Sequence, residues 1–233
     1  MRQLEEAFAD PEIAAVIGSY DRHPRAGNFL SQLKNLSHRH VHQSAREEAF
    51  TFWGACGAVR REAFDAVGGF DERYRAPSIE DIELGYRLRR AGYRIRLLKT
   101  LEVTHLKRWT IRGLLRTDIV GRAWPWSKLL LREGRIENDL NVAWRGRAAV
   151  AAAGCLVLAL ALSPWVAAAR AGALLASATL LVLDAPLLQY LAAERGWTFA
   201  VRAIPWRWLA HACSGATFGL AAVHWWVRDR RLG

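Results

Sequence analysis

The stretch SIEDIELGYRLRRAGYRIRL, residues 78–97, decides the fold class. Pro77-Ser78 stops the preceding loop, and Ser78 is placed to cap a helix. Leu84, Leu88 and Ala91 recur at i, i+4 and i+7, which puts them on one helical face. Gly92 ends the helix. Tyr93, Ile95 and Leu97 then alternate with Arg94 and Arg96, the pattern of a strand with one buried face. A helix followed at once by a strand predicts an α/β unit. Glu80 and Asp81 fall in the first helical turn, where the helix dipole favours an ionised carboxylate. By spacing alone, Ser78-x-x-Asp81 is also a capping box, so the pair has a structural reading beside a chemical one.

Upstream, residues 2–9 read as a helix end broken by Asp10-Pro11. The apolar run at 14–20 predicts a buried strand, and residues 28–41 a helix. In Phe52-Trp53-Gly54-Ala55-Cys56-Gly57-Ala58, small residues beside aromatics imply close approach of the backbone to a strand or ligand. Residues 60–67 predict a short helix closed by Gly68-Gly69. About three strands are legible, so the sheet is incomplete. His38 and His42 at i, i+4 could seat a metal. No third ligand lies nearby in sequence, so they read as surface or acceptor-side groups.

Downstream the character changes. The chain has 233 residues and a formal net charge of +11, but residues 148–233 hold only 7 of the 33 Lys+Arg and 3 of the 22 Asp+Glu. This segregation excludes a uniform soluble protein and a disordered chain. Cys155 and Cys213 lie inside apolar runs and Cys56 has no partner at ligand spacing, which excludes a disulfide framework or a cysteine metal site. Residues 1–10 are polar, with Glu5 and Glu6, and no signal peptide is expected.

The apolar runs at 148–169, 171–193 and 209–227 approach the ~20 residues of a membrane span. Nine of the 11 tryptophans lie from Trp124 to Trp226, mostly near run ends, as in an interfacial belt. Arg145 and Arg147 place the segment before the first run, and Arg195, Arg202 and Arg207 the link between the second and third, on the cytoplasmic side. Arg228, Arg230 and Arg231 conflict with three crossings, and the side of the tail stays open. Asp184, a carboxylate within an apolar run, is a functional candidate. It also reads as a local contact with backbone freed by Pro186, or with a polar group of a neighbouring helix. One carboxylate and three spans do not make a transport pathway. Residues 105–135 hold 8 basic and 2 acidic residues, with Ile111, Leu114, Leu115 and Ile119 on one face. This predicts a helix on an anionic leaflet, with anionic lipids as partners rather than nucleic acid.

Taken in order, Phe52-Trp53-Gly54-Ala55-Cys56-Gly57-Ala58, Arg60-Arg61, Gly68-Gly69-Phe70-Asp71, Glu80-Asp81-Ile82-Glu83-Leu84, Arg87-Leu88, Ala91-Gly92-Tyr93 and His105-Leu106-Lys107-Arg108-Trp109 resemble the C-terminal half of a membrane-bound family 2 glycosyltransferase with a GT-A fold. The resemblance covers roughly residues 10–145. It implies a partial GT-A domain at 1–104, basic interface helices at 105–147 and transmembrane helices at 148–233. It also implies that Asp81, with Glu80 beside it, is the general base that deprotonates the acceptor hydroxyl. Trp53 and Gly54 would lie near a sugar. His105-Leu106-Lys107-Arg108-Trp109 resembles the Q-x-x-R-W motif of processive members, with His for Gln, which puts processive synthesis in doubt. Arg108 would bind the diphosphate, Trp109 would stack on acceptor, and His105 is a candidate metal ligand.

The implied donor is a nucleotide sugar and the acceptor is lipid-linked or a glycan, met at the cytoplasmic face of the inner membrane. Mg2+ or Mn2+ is expected for the complete enzyme. No D-x-D occurs, so the nucleotide-binding half is expected before residue 1 or on a separate chain, and the 233 residues alone are expected to bind nucleotide sugar weakly. The other reading is a non-catalytic membrane scaffold or accessory subunit.

Overall fold

The computed structural model describes residues 2–229. Met1, Arg230 and Arg231 lie outside the described residues, and so does their part in setting the side of the tail. The chain forms two compact units, Met1–Leu114 with Asp139–Asn141 and Leu115–Asn138 with Val142–Gly233. The stretch 105–147 is thus divided between them.

The first unit is a mixed four-stranded sheet with helices on its faces. Its strands are β1 (Ile13–Tyr20), β2 (Glu48–Ala49), β3 (Gly57–Val59) and β4 (Arg94–Val103), in the order β2-β4-β1-β3. β1 runs parallel to β4, while β3 and β2 are antiparallel edges of two to three residues. β1 reads as an unbroken apolar run because both its faces are covered. Ala15, Val16 and Ile17 have no exposed surface. On one face Val16 packs with Ala7 of α1 (Arg2–Phe8). On the other, Ala15 and Ile17 join Phe52, Trp53, Leu84 and Leu88 in the main core.

The 78–97 reading holds in outline. α4 spans Glu80–Arg90, Gly92 adopts φ +87°, and Ile95 and Leu97 are buried on β4. Two details differ. Ser78 does not cap α4: the cap position is Ile79, without a side-chain bond, and the Ser78 N–H donates to Glu80 Oε2 at 2.7 Å. The acceptor is the side chain of the first residue of the helix, two positions on. Ala91 is exposed at the helix end, whereas Ile82, Glu83, Gly85 and Tyr86 are buried. The helix is therefore enclosed well beyond a single stripe. Buried Glu83 is tolerated because Arg87 grips it with a two-pronged bond at 2.7–3.0 Å and donates to the Val67 carbonyl at 2.5 Å. That pair ties α4 to the end of α3 (Arg61–Ala66), whose chain turns away through Gly68 and Gly69 at φ +81° and +67°.

α2 (Phe29–Ser44) packs across the sheet. The reading of His38 and His42 as surface groups fails: they are 8% and 1% exposed. His42 Nδ1 lies 2.7 Å from the Gly18 carbonyl oxygen, so that nitrogen carries the proton and donates.

The second unit is helical. The basic segment continues from α5 (Ile111–Arg116) through a π-helical turn (Thr117–Ala123) into α6 (Trp124–Glu133). α6 packs against a later helix of its own unit, so the segment is no isolated surface helix; Trp124 and His224 rings meet at 5.6 Å. α7 (Trp144–Leu162) ends eight residues before Arg170, at Ser163-Pro164, and α8 runs Ala167–Arg195. The expected first run is cut short because Pro164 cannot continue a helix. α7 and α8 are long and apolar enough to cross a membrane. At ~1.5 Å per residue they extend about 28 and 43 Å. Their outer faces leave Leu158, Leu174 and Leu175 65–74% exposed.

The third run differs. α9 spans Trp197–His224, beginning twelve residues before 209 and taking in Arg202 and Arg207. It is not among the described helices long and apolar enough to cross a membrane. Arg207 is held inside the unit by Asp184 at 3.1 Å, and His211 Nε2 approaches the same carboxylate at 3.2 Å. Asp184 thus meets polar groups of a neighbouring helix, not the backbone opened by Pro186. The carbonyls around that proline, Val182 and Leu183, accept from Arg145 of α7 at 3.0 and 3.2 Å.

Candidate active site

Asp81 is the second residue of α4 and lies only partly buried beside Gly54. The Gly54 N–H donates to its Oδ2 at 2.9 Å and the Ile82 N–H to its Oδ1 at 2.8 Å. Each oxygen of the carboxylate thus accepts from one backbone amide, which fixes the plane of the group. A fixed, partly exposed carboxylate suits a general base. Gly85, one turn on, lets α4 lie directly on the 51–54 backbone: a Cβ there would sit 2.2 Å from Phe52 N and 2.8 Å from Thr51 C. Gly57 is closed in similarly, 2.6 Å from the Phe52 ring. The small residues in this segment serve chain-to-chain contact. Glu80 is turned to the Ser78 amide, away from Asp81's two amide bonds.

Trp53 precedes Gly54 and is 6% exposed. It stands edge-on to Tyr20 at 4.7 Å and His42 at 4.9 Å, and lies tilted against His38 at 4.8 Å. Tyr20 in turn meets His105 at 4.5 Å. An aromatic row therefore runs from the residue beside Asp81's partner to the start of the 105–109 segment. Trp53 is a packed support in this row and not an open platform.

Trp109 is likewise buried, at 6%. Its N–H donates to Ser31 Oγ at 2.8 Å, its carbonyl accepts from Asn28 Nδ2 at 2.8 Å, and the Lys107 ammonium sits 3.8 Å above its ring. The structure thus gives that ring a cation for a partner where a stacked acceptor was expected. Arg108 is exposed. For the expected Mg2+ or Mn2+, the donor set does not fit: among the described residues no group of three His, Cys, Asp or Glu side chains converges, His105 included.

Asp139, which no spacing flagged, is buried beneath the 48–50 strand end. It accepts from the Phe50 N–H at 2.6 Å, and desolvation pushes its carboxyl above the usual carboxylate range. Leu140 beside it takes φ +41° to reach the main core. Asp71, in the Gly-Gly-Phe-Asp turn, is held down to about 2 by the Arg73 fork.

A mixed sheet with helices on both faces, closed by an amide-held carboxylate at a helix start, fits a GT-A-like glycosyl-transfer domain. The chain matches the glycosyl transferase family group 2 model over residues 1–227 and belongs to that family. Over 54 residues, 23% of its length, it is 50% identical to the N-acetylglucosaminyl-diphospho-decaprenol L-rhamnosyltransferases of Mycobacterium tuberculosis strains CDC 1551 / Oshkosh and ATCC 25618 / H37Rv. The match spans 17% of the length of those curated relatives.

Proposed function

We propose that this chain carries the acceptor and catalytic-base side of a membrane-associated glycosyltransferase. A sugar passes from a nucleotide-sugar donor to a lipid-linked or polysaccharide acceptor at the cytoplasmic face of the inner membrane. Asp81 takes the proton of the acceptor hydroxyl as that oxygen attacks the anomeric carbon, and the nucleoside diphosphate departs. The observation that carries this reading is the carboxylate itself: partly exposed, at a helix start, and oriented by the Gly54 and Ile82 amides. The Mycobacterium tuberculosis relatives are named for an N-acetylglucosaminyl-diphospho-decaprenol acceptor, which favours the lipid-linked class here. Glu80 and the packed tryptophans Trp53 and Trp109 hold the surrounding chain in place, and Arg108 faces the diphosphate. The apolar outer faces of α7 and α8 seat the second unit in the bilayer, since soluble proteins rarely expose such area.

The second reading is a non-catalytic membrane scaffold or accessory subunit descended from such an enzyme. Asp81→Asn separates the two. In reconstituted membranes with a panel of nucleotide sugars and a polyprenyl-diphosphate acceptor, transfer should fall by a factor of ~10²–10⁴. Unchanged turnover would remove Asp81 from the mechanism. No transfer by the unaltered protein, even with the chain that supplies donor binding, would leave the scaffold.

A further inference from the structure

Residues 139–141 are the one stretch beyond Leu114 that belongs to the first unit, and the chain on either side of them lies in the second. Asp139 is 4% exposed and Leu140 8%. Asp139 Oδ2 accepts from the Phe50 N–H at 2.6 Å, across 89 residues of sequence. Leu140 joins the core that contains Phe52, Trp53, Leu84 and Leu88. It does so at φ +41°, and among the described residues it is the one non-glycine residue at positive φ. L-residues avoid that region, so it persists only where the surroundings impose it. The turn is also closed from its far side, where the Trp144 N–H at the start of α7 donates to Asn138 Oδ1 at 2.6 Å.

Asp139 and Leu140 hold the strap 50–54. β2 ends at Ala49, so the strap lies beyond the last paired residue of that strand. Thr51, Phe52 and Trp53 are nevertheless buried. α4 meets the strap along its length. The Phe50 ring stands edge-on to Tyr86 at 4.9 Å, with the Arg89 guanidinium 5.7 Å from its centre. The Thr51–Phe52 backbone lies against Gly85, and the Gly54 N–H reaches Asp81 at 2.9 Å. All these partners ride on the helix that carries Asp81, so they let the strap follow any shift of that helix. Asp139, from a distant part of the chain, grips the strap's first amide and gives it a reference outside α4.

That hold is costly. Burial disfavours the charged carboxylate of Asp139 and pushes its carboxyl above the usual range. Leu140 beside it carries the unfavourable φ. Two unfavourable features in adjacent residues, both serving contacts with the strap and its core, mark placement as the gain.

We infer that Asp139 and Leu140 are positioning residues for the carboxylate at 81: they anchor the first residue of the 50–54 strap, and the strap's last residue orients the carboxylate through the Gly54 amide. This deepens the proposed function and rests on the role given there to Asp81. α7 begins four residues after Leu140, so the anchor of the base and the entry to the apolar helices are one piece of chain.

The test reads the Gly54 amide by nuclear magnetic resonance, without turnover, on the whole chain in detergent with its glycine nitrogens isotope-labelled. Gly54→Ala identifies the Gly54 signal, and Gly18 in β1 and Gly92 after α4 are references in the same spectrum. Asp139→Ala should speed hydrogen exchange of the Gly54 amide about tenfold, as loss of about one hydrogen bond does, with Gly18 and Gly92 within about twofold of the parent. Asp139→Asn keeps an oxygen for the Phe50 N–H and should restore the parent signal. Leu140→Ala leaves the carboxylate in place and should move the Gly54 signal the same way, so a misfolded Asp139→Ala protein does not close the test. A Gly54 amide indifferent to these changes overturns the anchor. So does a rise shared equally by Gly18 and Gly92, or an Asp139→Asn protein that behaves as Asp139→Ala does. Unchanged turnover in Asp81→Asn would instead remove the base and leave the Gly54 result standing, so the two failures are read separately.

Discussion

Gly85→Ala sets two physical effects of opposite sign against each other. Gly85 lies inside α4, and Ala is a better helix former by about 1 kcal/mol. If propensity ruled, the variant would be more stable. The structure gives the other sign. The new Cβ would sit 2.2 Å from Phe52 N, 2.8 Å from Thr51 C and 2.9 Å from Thr51 Cα. These are backbone atoms of a buried segment, so no side chain can swing aside. Ordinary contact needs α4 to retreat by about 1.2 Å, and overpacking of this kind costs roughly 3 kcal/mol. The net loss is about 2 kcal/mol, a fall in melting temperature of roughly 8 °C for a unit of this size. The same retreat stretches the 2.9 Å bond from the Gly54 N–H to Asp81 beyond bonding range. Hydrogen exchange at the Gly54 amide should therefore quicken along with the lower melting temperature. Gly54→Ala is the control, because its Cβ would meet Asp81 Cβ at an ordinary 3.4 Å. A Gly85→Ala protein that melts as high as the parent, with an unchanged Gly54 amide, refutes the claim that this contact aims the carboxylate.

Further outcomes follow from charged groups held by polar partners. Asp139 has its folded-state carboxyl raised by burial, so the folded protein binds a proton more readily than the unfolded chain and loses stability as pH climbs from the ordinary carboxylate range through the raised value. Asp139→Asn keeps an acceptor for the Phe50 N–H and should match or exceed the parent's melting temperature at pH 7, the gap closing toward pH 4. Asp139→Ala orphans that amide and should cost ~1–3 kcal/mol by denaturant melts. Asp184→Ala strands Arg207 and His211 inside the helical unit and should cost roughly 3–5 kcal/mol, seen as faster proteolysis of 197–224 in reconstituted membranes. Replacing Arg145 by Met should loosen α8 at the carbonyls around Pro186, read as faster exchange of amides near 182–187 with the rest of the helix unchanged.

Local pattern determined much of this protein without tertiary help. The 3.6-residue and two-residue periods of 78–97 marked α4 and β4, the apolar run at 14–20 marked a buried strand, and the loss of charge after residue 148 marked the apolar helices. Each rests on neighbours within a few residues, which a sequence records directly. Other features were set by partners far along the chain. The cap position of α4 fell on Ile79 rather than Ser78, and α7 stopped before Pro164 inside an apolar run. His38 and His42 were drawn under Trp53. Asp139 found an amide 89 residues away. Whether a charged or aromatic side chain is buried depends on which backbone groups the folded chain brings within about 3 Å of it, and spacing carries no trace of that distance. The sequence thus named the carboxylate at residue 81; only the fold supplied the Gly54 amide that aims it.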